Sequence, residues 1–302
     1  MAPLHLLLQS RLLDSGDDSQ ITKTSQLLLE HGVSVHVRNK NGQMPLHIAS
    51  HRGLSGIVAL LLKFGADIDA QDNDAMTPLH MLSQSWLLDS GDDSQSTKTA
   101  QLLLEHGASV HVRNKYGQMP LHTASRHGSS KIIPLLLKFG ADVDAQDNDT
   151  MTPLLLVLHT RWARDSQIAT ISRLLLEHGA SVHVRNKNGQ MPIHLASQHG
   201  RSGIVQLLLK SGADVDARDN SNITPLHIAV SSPFQRRFLK SHLDSSPLLS
   251  SVIKTIKLLL EHGANLQMQN DKGETPFQVA LRRGEQKIID VLSGYVQNDQ
   301  AI

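Results

Sequence analysis

The 302-residue chain contains no cysteine, which excludes disulfides, thiolate nucleophiles and cysteine-based zinc sites together. Its fold must rest on packing alone. Aromatic residues make up 3% and the formal net charge is +1. Those values leave neither the rings that stack single strands nor a cation surplus to neutralise phosphates, so nucleic acid is not an expected partner. No apolar run approaches the roughly 20 residues a membrane span needs, and no membrane association is expected. The apolar start, MAPLHLLLQSRLL, already holds the Pro3-Leu4-His5 of a repeating pattern, which argues against a cleaved signal. A cytosolic or nuclear address is the expectation. Nowhere do Gly-x-Gly-x-x-Gly, Gly-x-x-x-x-Gly-Lys-Ser/Thr or Gly-x-Ser-x-Gly occur, so neither an enzyme nor a cofactor is expected.

What the chain has instead is repetition. Asn41 to Asn73, NGQMPLHIASHRGLSGIVALLLKFGADIDAQDN, recurs in variant form from end to end. Pro45 sits where a helix begins, because its ring presets φ and its missing N–H is one the first turn leaves unbonded anyway. Leu46, Ile48 and Ala49 give a short helix with an apolar face; Gly53 breaks it, and Ile57 to Leu62 supply a second. Gly65 ends that helix, and the polar run Asp67 to Asn73 returns the chain to the next proline. A helix pair of this size buries too little surface to stand alone, so neighbours must supply the rest of the core. A 33-residue period with Thr224-Pro225-Leu226-His227-Ile228-Ala229 resembles the ankyrin repeat. That resemblance implies an all-α solenoid of stacked helix pairs with hairpin-like finger loops, whose role is protein recognition.

The repeat-opening prolines are Pro3, Pro45, Pro78, Pro120, Pro153, Pro192, Pro225 and Pro276, spaced by 42, 33, 42, 33, 39, 33 and 51 residues. Long and short units alternate, and the expected array comprises residues 1–40, 41–73, 74–115, 116–148, 149–187, 188–220, 221–271 and 272–302. From each helix-ending glycine to the next proline is always 13 residues, so the extra length falls between the two helices of a unit. Leu12 to Ser50 and Leu87 to Ser125 agree at 34 of 39 positions, a tandem duplication of a two-unit block. The first unit lacks an opening hairpin, which predicts an uncovered leading face and a truncated chain or an upstream segment. In the last, Glu285, Lys287 and Asp290 on a helix predicted over about Gln286 to Val296 resemble a polar cap.

Eighteen histidines suggest metal until sorted by position. His5, His47, His80, His122, His194 and His227 fill the slot after Pro-Leu or Pro-Ile, where the resemblance implies a hydrogen bond tying helix to hairpin. His31, His106, His178 and His262 precede helix-ending glycines, where a cation suits the helix dipole. His51, His127 and His199 lie near the break between helices, and His36, His111 and His183 in the fingers. Only His159 and His242 stay unplaced, and no metal-ligand spacing appears. Met44, Met119 and Met191 replace the N-cap threonine kept at Thr77, Thr152, Thr224 and Thr275, a loss of about 1 kcal/mol each.

The fingers carry the functional signal. Those after long units are basic (Arg38, Lys40; Arg113, Lys115; Arg185, Lys187), and those after short units acidic (Asp67, Asp69, Asp72; Asp142, Asp144, Asp147; Asp214, Asp216, Asp219). Two readings stand: mutual neutralisation between neighbours, or a striped partner surface. The second takes in Arg38, Lys40, Arg52, Asp72, Asp74, Arg113, Lys115, Tyr116, Arg126, His127, Asp147, Asp149, Arg185, Lys187, Gln198, His199 and Asp219, on a concave surface of fingers and first helices, with the chain a monomer. Separately, Asp14-Ser15-Gly16-Asp17-Asp18-Ser19 and Asp89-Ser90-Gly91-Asp92-Asp93-Ser94 resemble the D-S-G-x-x-S degron, which ubiquitin-ligase adaptors read when both serines are phosphorylated. It occurs in ankyrin-containing inhibitors of transcription factors, which raises a regulated inhibitor or ubiquitin-pathway adaptor as a second class. The ordinary reading of such loops is a solvated turn.

Overall fold

Each repeat-opening proline is the first residue of a helix in the computed structural model, which describes residues 3–9, 18–84, 94–160, 164–231 and 247–299. Among these residues there are 16 helices and no strand. The first helices are α1 (Pro3–Gln9), α3 (Pro45–His51), α5 (Pro78–Ser83), α7 (Pro120–His127), α9 (Pro153–His159), α11 (Pro192–Gln198), α13 (Pro225–Ser231) and α15 (Pro276–Arg283). The second helices are α2 (Asp18–Glu30), α4 (Ser55–Lys63), α6 (Ser94–Glu105), α8 (Ile133–Lys138), α10 (Asp165–Glu177), α12 (Ser202–Lys210), α14 (Pro247–Glu261) and α16 (Gln286–Asp299). Gly65 shows how a second helix stops. At φ +80° it takes the left-handed cap, and the Gly65 and Ala66 amides return to Leu62 and Leu61 carbonyls, each at 3.0 Å, satisfying the orphaned end of the helix.

The chain divides into two compact units, Met1–Ala163 and Arg164–Ile302. In the first, α1, α3, α5, α7 and α9 pack in sequence as one layer, and α2, α4 and α6 as another. The second repeats the scheme with α11, α13 and α15 against α10, α12, α14 and α16. Leu46, Ile57, Val58 and Leu61 are buried between layers in one repeat, and Ile193, Ile204, Val205 and Leu208 in another. Each such side chain contributes about 1.5–3 kcal/mol on leaving water, through contact both with the partner helix of its own repeat and with neighbouring repeats.

Two details go beyond the sequence reading. The extra length of the long units is partly helix: α2, α6, α10 and α14 run 13, 12, 13 and 15 residues, against 9, 6 and 9 for α4, α8 and α12. Likewise α16 continues to Asp299, past Val296. At the opposite end, Leu6 of α1 is 55% exposed, whereas its counterparts Ile48 and Leu156 are 6% and 7% exposed because a preceding repeat covers them.

Candidate interaction surface

Each finger closes on one side chain. Asn39 Oδ1 accepts the Asn41 and Gln43 amides at 2.9 and 3.0 Å, and Asn114 does the same for Tyr116 and Gln118. Asp72, Asp147 and Asp219 occupy the same place in the acidic fingers, each taking two amides of its own loop at 2.8 and 2.9 Å. Asn186 repeats the pattern at 3.0 Å. A carboxylate and an amide oxygen do the same work there, so one face of each of these aspartates is committed to its own turn.

Neighbouring fingers are then tied tip to tip. Arg38 Nη1 donates to Gly42 O in its own finger (2.8 Å) and to Gln71 O in the next (2.6 Å). Arg113 does so to Gly117 O and Gln146 O, both at 2.7 Å, and Arg185 to Gly189 O and Arg218 O at 2.9 and 2.7 Å. Asn73, Asn148 and Asn220 answer from the acidic finger: their amides donate to Asn41 O, Tyr116 O and Asn188 O, each at 3.0 Å. Their Nδ2 groups reach the carbonyls of Lys40, Lys115 and Lys187. The Asn after Asp in each acidic finger was the available signal for this clamp, and charge pattern alone passed over it. Close approach is possible because Gly42, Gly117 and Gly189 lack a Cβ, which would lie 2.3, 2.2 and 2.2 Å from the facing Asn Oδ1.

The predicted surface residues therefore divide. The Arg38, Arg113 and Arg185 side chains hold the rim together while remaining exposed. Lys40, Asp149 and Lys187 are exposed. Lys115 bridges to Asp74 from the next finger, through an ion pair and a backbone bond to Asp74 O at 3.0 Å. Its Nζ also stands 5.0 Å from the ring centre of Tyr116, which is 55% exposed. Asp74 raises the Lys115 ammonium above the usual lysine range. Among first-helix residues, Arg126 and His127 are exposed at the end of α7; Arg52, Gln198 and His199 are half-buried at the ends of α3 and α11. Ser19 and Ser94 lie in the first turns of α2 and α6, while Ser15 and Ser90 fall outside the described residues.

Five of the six histidines after Pro-Leu and Pro-Ile bind the layers from within, His5 Nε2 meeting Gln43 O at 2.9 Å, whereas His122 Nε2 has no hydrogen-bond partner among the described residues. Nδ1 of His47, His80, His194 and His227 accepts the N-cap amide, which makes Nε2 the protonated nitrogen. That nitrogen donates to a carbonyl of the following finger: Met76, Gln118, Ile223 and Glu274, at 3.0, 3.0, 3.1 and 3.0 Å. Burial lowers the imidazole pKa in His47, His122, His194 and His227, and carries His80 down to about 4. The histidines before the helix-ending glycines cap those helices: Nδ1 of His31, His106, His178 and His262 meets the carbonyl four residues back at 2.8–2.9 Å. Among the described residues no three His, Asp or Glu side chains gather as a metal would require, and no helix is long and apolar enough to cross a membrane.

A family model described as ankyrin repeats (many copies) matches residues 28–82, 103–156 and 175–229, more than half of the chain; related models match 74–115 and 248–292. Mouse ankyrin repeat and SOCS box protein 5 is 34% identical over 105 residues, 32% of this chain and 29% of its own. The mouse B-cell lymphoma 3 protein homolog is 33% identical over 177 residues, covering 57% and 36%. The chain thus spans about a third of these relatives' length. The crystallised ankyrin repeat domain of Bcl-3, titled a unique member of the IkappaB protein family, superposes with TM-score 0.62 at 27% identity, over 84% of this chain and all of that one. The matched segments carry the same proline-opened helix pairs and tied fingers that build both units, and the chain belongs to the ankyrin-repeat family.

Proposed function

We propose that the chain is a non-catalytic module that binds a partner protein across its finger tips and the exposed ends of its first helices. The observation carrying this reading is the clamp between fingers. Arginine, asparagine and backbone bonds fix the tips before any partner arrives, so little ordering cost remains for association. On that fixed rim the Asp74–Lys115–Tyr116 group presents an exposed aromatic beside a paired charge, the residue types that dominate interface energies. The partner is a protein and not a nucleic acid, because acidic fingers interrupt the basic ones. Affinity capture from native cell extract with mass spectrometry tests it. Lys115→Glu with Tyr116→Ala should lose at least one protein that the wild type retains; identical captured sets would remove the fingers from the site.

A second reading, a regulated inhibitor or ubiquitin-pathway adaptor, draws on the relatives' names and on Ser19 and Ser94 standing in first helical turns. Phosphate adds about two negative charges there, where the helix dipole favours them. Cellular half-life unchanged by alanine at Ser15, Ser19, Ser90 and Ser94 would dispose of it.

A further inference from the structure

The eighth repeat is of the short build, Gly284 following Pro276 at the same distance as Gly53 follows Pro45. In the other short repeats the face turned to the next repeat is sealed: Leu46 and Val58 are buried ahead of the third repeat, Ile193 and Val205 ahead of the seventh. At the same places in the eighth, Phe277 and Ile289 are only half-buried. Leu281 is 50% exposed where Ser50 and Ser197 are buried. A Cβ at Gly53 or Gly200 would lie 2.8 or 2.9 Å from Ser96 or Val252 of the next second helix, whereas one at Gly284 would meet nothing within 4 Å. Nor does a finger turn back over this face, because α16 runs on through Val296, the place of the helix-ending Gly65, Gly140 and Gly212.

The first repeat is of the long build, and its open face is the opposite one. Leu6 is exposed where Met81 and Ile228 are buried beneath the short repeats before them. Leu28 is half-buried and Leu27 exposed, where Leu103 and Leu259 are buried and Leu102 and Leu258 half-buried. A terminal repeat ordinarily turns a polar face outward, but the charges expected to form that cap on the eighth repeat stand largely aside. Lys287 and Asp290 occupy the places of exposed Gly56 and Ala59, off the face that a following repeat covers. Glu285 takes the place of buried Leu54 and of Arg201, whose ion pair with Asp165 shows that a charge is accommodated there in a closed junction.

We propose that a second copy of this chain docks head to tail, with α1 and α2 of one copy packed on α15 and α16 of the other. The order of builds commits the occupant. A long repeat follows a short one throughout the chain, so an eighth repeat meeting the first repeat of another copy recreates a junction the chain already forms, from α3 and α4 to α5 and α6 and from α11 and α12 to α13 and α14. Leu281 of one copy and Leu6 of the other then both leave water. A symmetric pair would set long on long or short on short, and the chain contains neither junction. The contact is heterologous, so each added copy leaves one head and one tail open. This association takes the place of the monomer expected from sequence, and it does not rest on the protein-binding reading above.

Sedimentation velocity of the full chain, over a concentration series reaching about 100 µM, should show a mass that climbs with concentration past that of a dimer. Leu6→Lys disables the head and Leu281→Lys the tail. Both side chains are already half exposed, so the fold should survive, which circular dichroism checks; Leu27→Lys and Leu281→Gln replace either variant that unfolds. Each variant alone should stay monomeric. An equimolar mixture should form a heterodimer and nothing larger, because one working head and one working tail remain. A wild-type chain that is monomeric throughout the series, either variant assembling by itself, or a mixture that stays monomeric would overturn the proposal.

Discussion

Repeats of two builds alternate in this chain, and the local penalties differ between them. A finger opening a short repeat turns on Gly42, Gly117 or Gly189, at φ +72° to +75°, where glycine is unstrained. It ends, however, on Met44, Met119 or Met191, whose side chains cap nothing. A finger opening a long repeat forces Ala75, Thr150 or Asn222 to φ +55° to +57° at the matching position, and then supplies a threonine cap: Thr77 and Thr224 Oγ1 stand 2.9 and 2.8 Å from a histidine Nδ1. The first helices differ too. Ser50, Ser125 and Ser197 of the short repeats are buried with no hydrogen-bond partner for the hydroxyl among the described residues, while Ser83 of a long repeat donates to Leu79 O at 2.8 Å. The eighth repeat combines Gly273 with Thr275 and has neither fault of the fingers. What the contrast teaches is that stacking tolerates a fault of about 1 kcal/mol in each repeat, provided the inter-repeat ties stay whole.

Acid should break both builds at once, and by the largest amount. An unfolded imidazole takes its proton near pH 6.5, whereas folded His80 holds out to about 4. Between those values the unfolded chain binds more protons, so stability is complete above about pH 6.5 and falls as the pH drops toward 4. His80 alone accounts for a loss on the order of 3 kcal/mol. His47, His122, His194 and His227 are displaced the same way. Urea midpoints measured from pH 7 to 4.5 should fall steeply; a flat profile would mean that these imidazoles do not stay neutral and bonded.

Severing one tie is next in size. In Gly117→Ala the new Cβ meets Asn148 Oδ1 at 2.2 Å and the Asn148 amide nitrogen at 2.9 Å, in a left-handed backbone besides. A loss of about 3 kcal/mol is expected. Adding Asn148→Gly should recover part of it, because the side-chain clash goes while the backbone one stays. If Gly117→Ala melts with the wild type, the fingers are not clamped as described.

The fold was legible because its period is written in residues with a local mechanism: proline at each helix start, glycine at each end, and leucines between. The finger charges were legible as a pattern but not as a structure. Arg38 and Asp72 look alike available in sequence, and only coordinates show that the guanidinium spans two fingers and the carboxylate closes its own turn. Position relative to a neighbouring repeat is a long-range fact, and no local propensity encodes it. The longer helix α14 was hidden for a related reason, since it begins beside a long insertion whose sequence has no clear period.

Caps offer a finer comparison. Met44→Thr should stabilise the chain by about 1 kcal/mol and Thr77→Met should cost about as much, read as opposite shifts in denaturant midpoint. Equal midpoints would show that methionine packing already offsets the missing cap. Ser125→Ala should gain somewhat under 1 kcal/mol, because it removes a buried hydroxyl with no acceptor, whereas Ser83→Ala should lose a similar amount.

The smallest effect is also the most discriminating. Ala75→Gly relieves a left-handed residue, worth about 1 kcal/mol, but it also loosens the unfolded chain by about 0.5–1 kcal/mol. The net gain should be a few tenths. Thr150→Gly starts from a β-branched side chain at φ +57°, where the penalty is larger, so its gain should exceed that of Ala75→Gly even after Thr150 Oγ1 gives up its 2.7 Å bond to Asp149 O. Asn222→Gly should gain least, since asparagine tolerates this region and its Nδ2 reaches Asp271 Oδ1 at 2.7 Å. Thermal unfolding of the three variants should therefore rank them Thr150, Ala75, Asn222. The reverse order would place the difference between the two builds in their caps alone, with no strain at the turn.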